Sequence, residues 1–466
     1  MKPVAIIGGG FSGAITAVHL MRILPPDHPI LIFERGGPIG PGLAYSTDVA
    51  AHLLNVRAAN MSVFPDDPAH FENWLRRHFA VPSTDCHVTE AGLFASRRLY
   101  ARYVHSCFEQ AADSRPTARR PLWVRAEIAD IARQADGFRL RDGAGQDYQA
   151  AALVLAVGNI PPAAADDPRH ITNPWNPENL RGLDRQAPIL ILGSGLTMVD
   201  IVLSLRDKGF HGPLTALSRR GMLASAHLPA GAWPTPVFTA GERARLRPLL
   251  RRLRQEIEAA RQAKTDWRAV IDSIRPITAE LWMGWSEAER HRFLRHGRRF
   301  WDIHRHRMAP PNAAAIQQEL QSGGLALQAG RVLAMEPRSE GLAVTIRHKG
   351  GDEQTKVFQR VIAATGLENA AGGRSGLVRS LCERGLTRLD PLGIGIEVGP
   401  DLKAAPGIWA LGPIVRGTFW ECVAVPDIRD QAVRVARGVA DFIDLTPPLL
   451  PPAAGAAARG RGLGAT

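Results

Sequence analysis

Apolar residues along this chain fall into two kinds of run. Short, nearly unbroken apolar stretches end at glycine: Val4–Ile7 before Gly8, Ala151–Val157 before Gly158, Ile189–Leu192 before Gly193, Val361–Ala364 before Thr365 and Gly366, and Ile408–Leu411 before Gly412. Runs of that length and purity are the mark of strands buried on both faces, as in a parallel sheet. Elsewhere apolar positions recur at helical spacing: Phe71, Trp74 and Leu75 within 69–79, then Leu99, Val104 and Phe108 within 97–113. The same spacing runs through Leu246, Leu249, Leu250, Leu253 and Ile257, and again over 425–442. Leu122–Ile131, Gly137–Arg141 and Tyr148–Val157 read as three strands joined by turns such as Asp142-Gly143; Leu325–Leu333 and Leu342–His348 read as two more. Glycine and proline crowd residues 36–42, which excludes a helix or central strand there. Residues 159–187, with repeated proline, read as a linker, and 446–466 as a disordered tail with nothing to bury.

Strands alternating with helices predict an α/β fold, and two of the strand-to-glycine steps carry a specific signal. Gly8, Gly10 and Gly13 fit the dinucleotide fingerprint: one glycine for the turn, one for close approach of backbone to a diphosphate, one for helix packing on strand. Glu34 closes the next strand, Ile30–Phe33, where a carboxylate accepts ribose hydroxyls and repels a 2′-phosphate. The second unit repeats the pattern with Gly193 and Gly195, but Met198 replaces the third glycine. Its next strand ends at Ser218, Arg219 and Arg220, and arginine in that place pairs with a 2′-phosphate, which selects NADPH.

Composition narrows the reading. With 45% hydrophobic and 22% charged residues in 466, the chain has material for two or three globular domains. No apolar run reaches the roughly 18 residues of a membrane span, and the apolar start is broken by glycines with no cleavage region, so a cytoplasmic protein is expected. Cys86, Cys107, Cys382 and Cys422 are scattered, which argues against a disulfide framework, a zinc site and a dithiol relay. His304 and His306 lack a third ligand, so no metal is expected. The net charge of +12 is carried almost wholly by arginine and concentrates in residues 243–307 and the tail; without a nucleic-acid motif it does not make a nucleic-acid binder. Trp267, Trp282, Trp285, Phe293, Phe300 and Trp301 are expected to pack this basic helical insert on the rest.

Several stretches together carry a family resemblance. These are Gly40-Pro41-Gly42-Leu43-Ala44-Tyr45, Leu54-Asn55-Val56, Phe64-Pro65-Asp66-Asp67, Gly193 to Asp200, His304-Arg305-His306-Arg307 and Gly417-Thr418-Phe419-Trp420-Glu421. From residue 4 to about 445 the chain resembles bacterial FAD/NAD(P)-binding proteins similar to flavin-dependent N-hydroxylating monooxygenases, the aspartate N-hydroxylases among them. The resemblance implies two Rossmann-like domains, the NAD(P)H domain inserted in the FAD domain. The expected boundaries are 1–160 for the first part of the FAD domain, 186–360 for the NADPH domain with its helical insert at about 240–308, and 361–445 for the return.

The same resemblance implies FAD at Gly8, Gly10, Gly13 and Glu34, with Tyr45 in the loop that passes the isoalloxazine. It also implies NADPH at Gly193, Gly195, Ser218, Arg219 and Arg220, with Thr365, Gly366 and Gly412 touching cofactor through backbone. Many flavoproteins carry Gly-Asp where this chain has Gly412-Pro413. Asn55 and Arg305 are the candidates for positioning substrate or nicotinamide. The implied activity is N-hydroxylation of a small amine or amino acid by dioxygen through a C4a-(hydro)peroxyflavin. The alternatives are an NAD(P)H-dependent flavin reductase without oxygenation and a non-catalytic flavin-binding regulatory protein; a homo-oligomer stays open.

Overall fold

The computed structural model describes residues 1–159, 162–176, 182–366 and 376–443. The expected disordered tail lies outside the described residues. Two sheets organise the chain, each built round one of the glycine-terminated strands. The first has the order Lys403–Ala405, Ile408–Ala410, Ala152–Leu155, Val4–Ile7, Ile30–Phe33, Leu122–Val124. Val4–Ile7 lies inside it, parallel to Ile30–Phe33 on one side and to Ala152–Leu155 on the other. All four residues of Val4–Ile7 and of Ala152–Leu155 are buried, as unbroken apolar runs require. The helices Phe11–Ile23, Arg97–Asp113 and Val425–Phe442 share that core.

The second sheet has the order His170–Ile171, Arg360–Ala363, Ile189–Leu192, Leu214–Ser218, Leu325–Pro337, Leu342–His348, Glu353–Phe358. Its first five strands are parallel, and the last two form an antiparallel meander with the far half of Leu325–Pro337. The edge strand Glu353–Phe358, which the apolar pattern does not reveal, has four consecutive exposed residues from Glu353 to Lys356. At the opposite edge is a strand of two residues, His170–Ile171, inside the stretch expected to be linker.

Three expectations are corrected. Arg360–Ala363 was expected to return the chain to the first domain, and instead it pairs with Ile189–Leu192 in the second sheet. It stands to Ile189–Leu192 as Ala152–Leu155 stands to Val4–Ile7, so the likeness of the two apolar runs reflects a repeated role, not a shared sheet. The return begins later, with the helix Gly376–Glu383, whose Leu377, Val378 and Leu381 join the first core. The expected strand Leu122–Ile131 is two, one in the first sheet and Ile128–Gln134 in a separate three-stranded meander with Gly137–Asp142 and Asp147–Ala150. Tyr148–Val157 divides in the same way, between Asp147–Ala150 and Ala152–Leu155.

The basic region folds as a series of helices, the longest Leu246–Gln262 and the last Arg298–Arg305. Leu246, Leu249, Leu253, Trp282, Trp285 and Phe293 bury a core of their own that includes Trp420 from the return segment. Trp282 donates its indole N–H to the Gly417 carbonyl at 2.9 Å, and its ring centroid lies 5.0 Å from that of Trp420. Trp267 packs beneath the guanidiniums of Arg268 and Arg307, while Phe300 stays 42% exposed.

The two units meet through a buried ion pair. Arg97, at the start of the first unit's helix Arg97–Asp113, lies 2.8 Å from Asp200 on the second unit's helix Leu196–Asp207, and both side chains are nearly inaccessible. Beside it His52 reaches the Asp200 carbonyl at 3.0 Å and the Ser204 hydroxyl at 2.8 Å. Among the described residues no helix is long and apolar enough to cross a membrane, and no group of His, Cys, Asp and Glu is placed to hold a metal ion. The four cysteines are free thiols.

Removing one partner of a buried pair strands the other charge, so Asp200→Ala should destabilise the protein by about 3 kcal/mol. In urea unfolding, the double variant Arg97→Ala/Asp200→Ala should cost clearly less than the sum of the two single variants. Acid should destabilise the fold as well. Burial lowers the pKa of His19 and His227 to about 4, while in the unfolded chain these rings protonate near 6.5. Between those values the unfolded state binds more protons, so stability falls as pH drops through the window from about 6.5 to 4. His19→Gln should flatten that dependence of the urea midpoint on pH.

Candidate cofactor-binding site

The first cradle forms where Val4–Ile7 turns into the helix Phe11–Ile23. Gly8 has φ +104°, and a Cβ there would lie 2.3 Å from the Ala156 carbonyl oxygen. At Gly13 a Cβ would meet the Gly8 carbonyl oxygen at 1.8 Å, which is the close helix-on-strand contact that the third glycine permits. Gly10 is the N-cap and offers no side chain, and no acidic residue lies in the first turn, so the helix's leading N–H groups face outward uncompensated. Glu34 follows the second strand; its carboxylate accepts the N–H of Gly9 at 2.9 Å and of Gly36 at 3.0 Å, which fixes it beside the glycine turn.

The glycine- and proline-rich loop folds back on the cradle. The Gly40 N–H donates to the Gly9 carbonyl at 2.8 Å, and the Gly42 Cα lies 3.2 Å from the place of a Gly10 Cβ. Tyr45 ends the short helix Gly42–Tyr45 and stacks edge-on with Phe11 and Tyr100, at centroid distances of 5.7 and 4.8 Å. Burial pushes its phenol well above the usual range, so it stays neutral. Gly412 is also here, since a Cβ on it would lie 2.7 Å from the Ser12 hydroxyl. Its N–H, buried and in need of a partner, is donated to the Gln431 side chain at 2.8 Å.

The second cradle repeats the first. Gly193 has φ +120°, and a Cβ on it would lie 2.4 Å from the Ala364 carbonyl oxygen. Gly195 caps the helix Leu196–Asp207 without a side chain and with no acid in the first turn. In place of a third glycine, Met198 is fully buried in the second core, so this helix leaves room for a side chain against its strand. Thr365 and Gly366 are exposed just beyond Ala364, and so belong to this cradle. Ser218 is less available than expected. Its hydroxyl accepts the Gly221 N–H at 3.0 Å and lies 2.8 Å from the Ser194 hydroxyl, pinning the loop to the glycine turn. Arg219 and Arg220 are exposed, and Arg220 lies over the Phe300 ring at 4.9 Å.

Asn55 and Arg305 each lie at a contact between the two units. The Asn55 carbonyl accepts from His227 at 3.0 Å. The His227 backbone N–H in turn donates to the Met308 carbonyl at 2.9 Å, and the Ser225 N–H to the Ile303 carbonyl at 2.9 Å. Arg305, at the end of the helix Arg298–Arg305, faces the buried Glu421, with its Nε 3.8 Å from the carboxylate. Trp301 donates to that carboxylate at 2.7 Å, and the His306 ring lies 3.8 Å away. Burial pushes the Glu421 carboxyl up, but facing His306 and Arg305 outweigh it and hold it below the usual carboxylate range. Burial likewise depresses Arg305. Arg307, from the same motif, is fully buried and bonds both oxygens of Asp272 at 2.9 and 3.0 Å, which makes it a structural residue.

Sequence reasoning missed Arg299. It lies against the second glycine turn, donating to the Met222 carbonyl and, at 2.8 Å, to the Ser194 hydroxyl. In a helix rich in arginine nothing in the residue pattern separates it from its neighbours. Gln431 was missed too, since a lone glutamine in an amphipathic helix carries no motif.

Both cradles therefore fit a dinucleotide: each has a strand carbonyl that admits only glycine at the turn and a helix N-terminus left for an anion. Residues 5–160 match a protein family described as FAD-NAD(P)-binding. An uncharacterised protein of Mycobacterium tuberculosis (strain H37Rv) is 29% identical over 155 residues, which are 31% of this chain and 29% of that protein, so the chain matches under a third of that relative's length. Over 95% of the chain the fold matches the reduced form of an ornithine hydroxylase of Pseudomonas aeruginosa, covering 100% of that chain with a TM-score of 0.64 at 15% identity. It also matches an ornithine N-hydroxylase of Kutzneria sp. 744, described with reduced FAD, NADP+ and L-ornithine, covering 99% of it with a TM-score of 0.64 at 14% identity. The chain thus shares the two-unit α/β fold of these hydroxylases, and its first unit is similar to the FAD-NAD(P)-binding family.

Proposed function

We propose that this protein is an FAD-dependent, NADPH-using monooxygenase that hydroxylates the nitrogen of a small amine or amino acid with dioxygen. One observation carries the reading. A single chain holds two uncapped glycine-turn cradles, one closed by Glu34 and the other by Arg219 and Arg220. The shared fold with two ornithine hydroxylases supports the choice among flavoenzyme reactions.

In this reading Gly8, Gly10, Gly13 and Glu34 hold FAD. The leading N–H groups of Phe11–Ile23 face its diphosphate, and the Glu34 carboxylate keeps lone pairs for ribose hydroxyls. Gly193, Gly195, Arg219 and Arg220 hold NADPH, with guanidinium on the 2′-phosphate. Bound FAD would supply the redox chemistry, accepting hydride and activating dioxygen. The protein positions the partners and keeps water out: Phe11, Tyr45 and Tyr100 form an apolar wall beside the first cradle. Asn55 and Arg305 orient nicotinamide or substrate at the junction. With its cysteines as free thiols the protein works in the reducing cytoplasm, without nucleic acid or membrane as partner.

The test supplies FAD-loaded protein with NADPH, air and a panel of ornithine, lysine and aspartate. One amine should stimulate NADPH consumption and yield a hydroxylamine. Electrons ending only in hydrogen peroxide or on an added dye, whatever the amine, would replace oxygenation by plain reduction. Arg219→Ala should weaken NADPH binding by about tenfold and leave NADH binding unchanged, because only NADPH carries the phosphate that a charge-assisted pair would hold. Titration of both nucleotides against the flavin absorbance checks this.

A further inference from the structure

The helical insert is placed to do more than pack. Its last helix, Arg298–Arg305, passes directly over the second glycine turn, and Arg299 points at it. One nitrogen of that guanidinium, Nη2, is spent on the turn: it reaches the Ser194 hydroxyl at 2.8 Å, the Ser194 carbonyl at 3.3 Å and the Met222 carbonyl. These contacts fix the plane of the group. Its other terminal nitrogen, Nη1, has no hydrogen-bond partner among the described residues and lies 3.9 Å from the place of a Gly195 Cβ. Gly195 is the position whose missing side chain lets a diphosphate reach the backbone. A fixed cation with unspent donors therefore overlooks the gap that the glycine leaves open.

Among the described residues no carboxylate forms an ion pair with Arg299. All acceptors of Arg299 are neutral carbonyl or hydroxyl groups. The facing charges are Asp302, which attracts it but is engaged by Arg298 at 3.5 Å, and Arg219, which repels it. An anion between Arg299 and the helix N-terminus would satisfy both at once.

We propose that Arg299 of the insert holds the diphosphate of the pyridine nucleotide, so that the insert forms the outer wall of that site. This rests on the reading of the second cradle as the NADPH site and divides its cations by task. Arg299 serves the diphosphate, common to NADP+ and NAD+, and Arg219 serves the 2′-phosphate, present in NADP+ alone.

The experiment titrates FAD-loaded wild type, Arg299→Gln, Arg299→Lys and Arg219→Ala with NADP+ and with NAD+ by calorimetry. Flavin content and thermal melting confirm that each variant is folded. Arg299→Gln should weaken both nucleotides alike, by about tenfold or more, as loss of a charge-assisted hydrogen bond does. Arg299→Lys, which keeps the charge without the fork, should recover part of the loss for both, and Arg219→Ala should weaken NADP+ alone. Unchanged affinity for both in Arg299→Gln overturns the proposal, and so does a loss confined to NADP+, which moves Arg299 to the 2′-phosphate. Should the glutamine variant fail to fold, the lysine variant carries the same comparison: an equal loss for both nucleotides supports the assignment, and no loss for either overturns it. If the wild type itself binds neither nucleotide, the NADPH reading of the second cradle fails.

Discussion

Two backbone carbonyls set the geometry on which everything else in this protein rests. The oxygens of Ala156 and Ala364 close so tightly on Gly8 and Gly193 that a Cβ at either would sit within 2.4 Å of them. Each glycine takes a positive φ, and the chain leaves its strand at an angle that starts a helix at once. The helix then begins with no side-chain cap, and its free N–H groups face the place where strand ends and turn meet. Cradle and helix direction follow from one steric restriction applied twice.

Much of this was legible in the residues because glycine spacing and apolar runs report backbone geometry directly. Both cradles, the first and last helices of the first unit and the closing acid and arginines lie where the pattern put them. What misled was identity of pattern. Ala152–Leu155 and Arg360–Ala363 read alike because both flank a central strand, and a run of apolar residues does not say which sheet it joins. The division of Leu122–Ile131 was hidden because only Arg125, Ala126 and Glu127 separate the apolar Leu122–Val124 from Ile128, too short an interruption to read as a break. Side-chain partners were the least visible. Arg307 holds Asp272, and Gly412 spends its N–H on Gln431 from a distant helix, pairings that no residue pattern announces.

The high arginine content has a structural explanation. Arg115 donates to the carbonyls of Pro25, Pro26 and His28, and Arg206 clamps Glu319 together with the carbonyls of Phe210, Gly212 and Gly324. Arg268 and Arg307 fasten the insert in the same manner. A forked cation with five donors ties loop carbonyls that no regular ladder serves. These arginines stitch irregular backbone together, and the helix Arg298–Arg305 extends that stitching from the second glycine turn to Glu421 in the return segment.

The outer strands of the second sheet carry a consequence for solubility. An open sheet margin with free backbone groups is a template on which another chain can add. Here one margin is Glu353–Phe358, with Glu353, Gln354, Thr355 and Lys356 all facing water, and the other is only two residues long. A neighbouring molecule laid along the first would have to strip water from charged side chains, and the second is too short to give it a ladder. Growth of this sheet from molecule to molecule is thereby disfavoured at both ends.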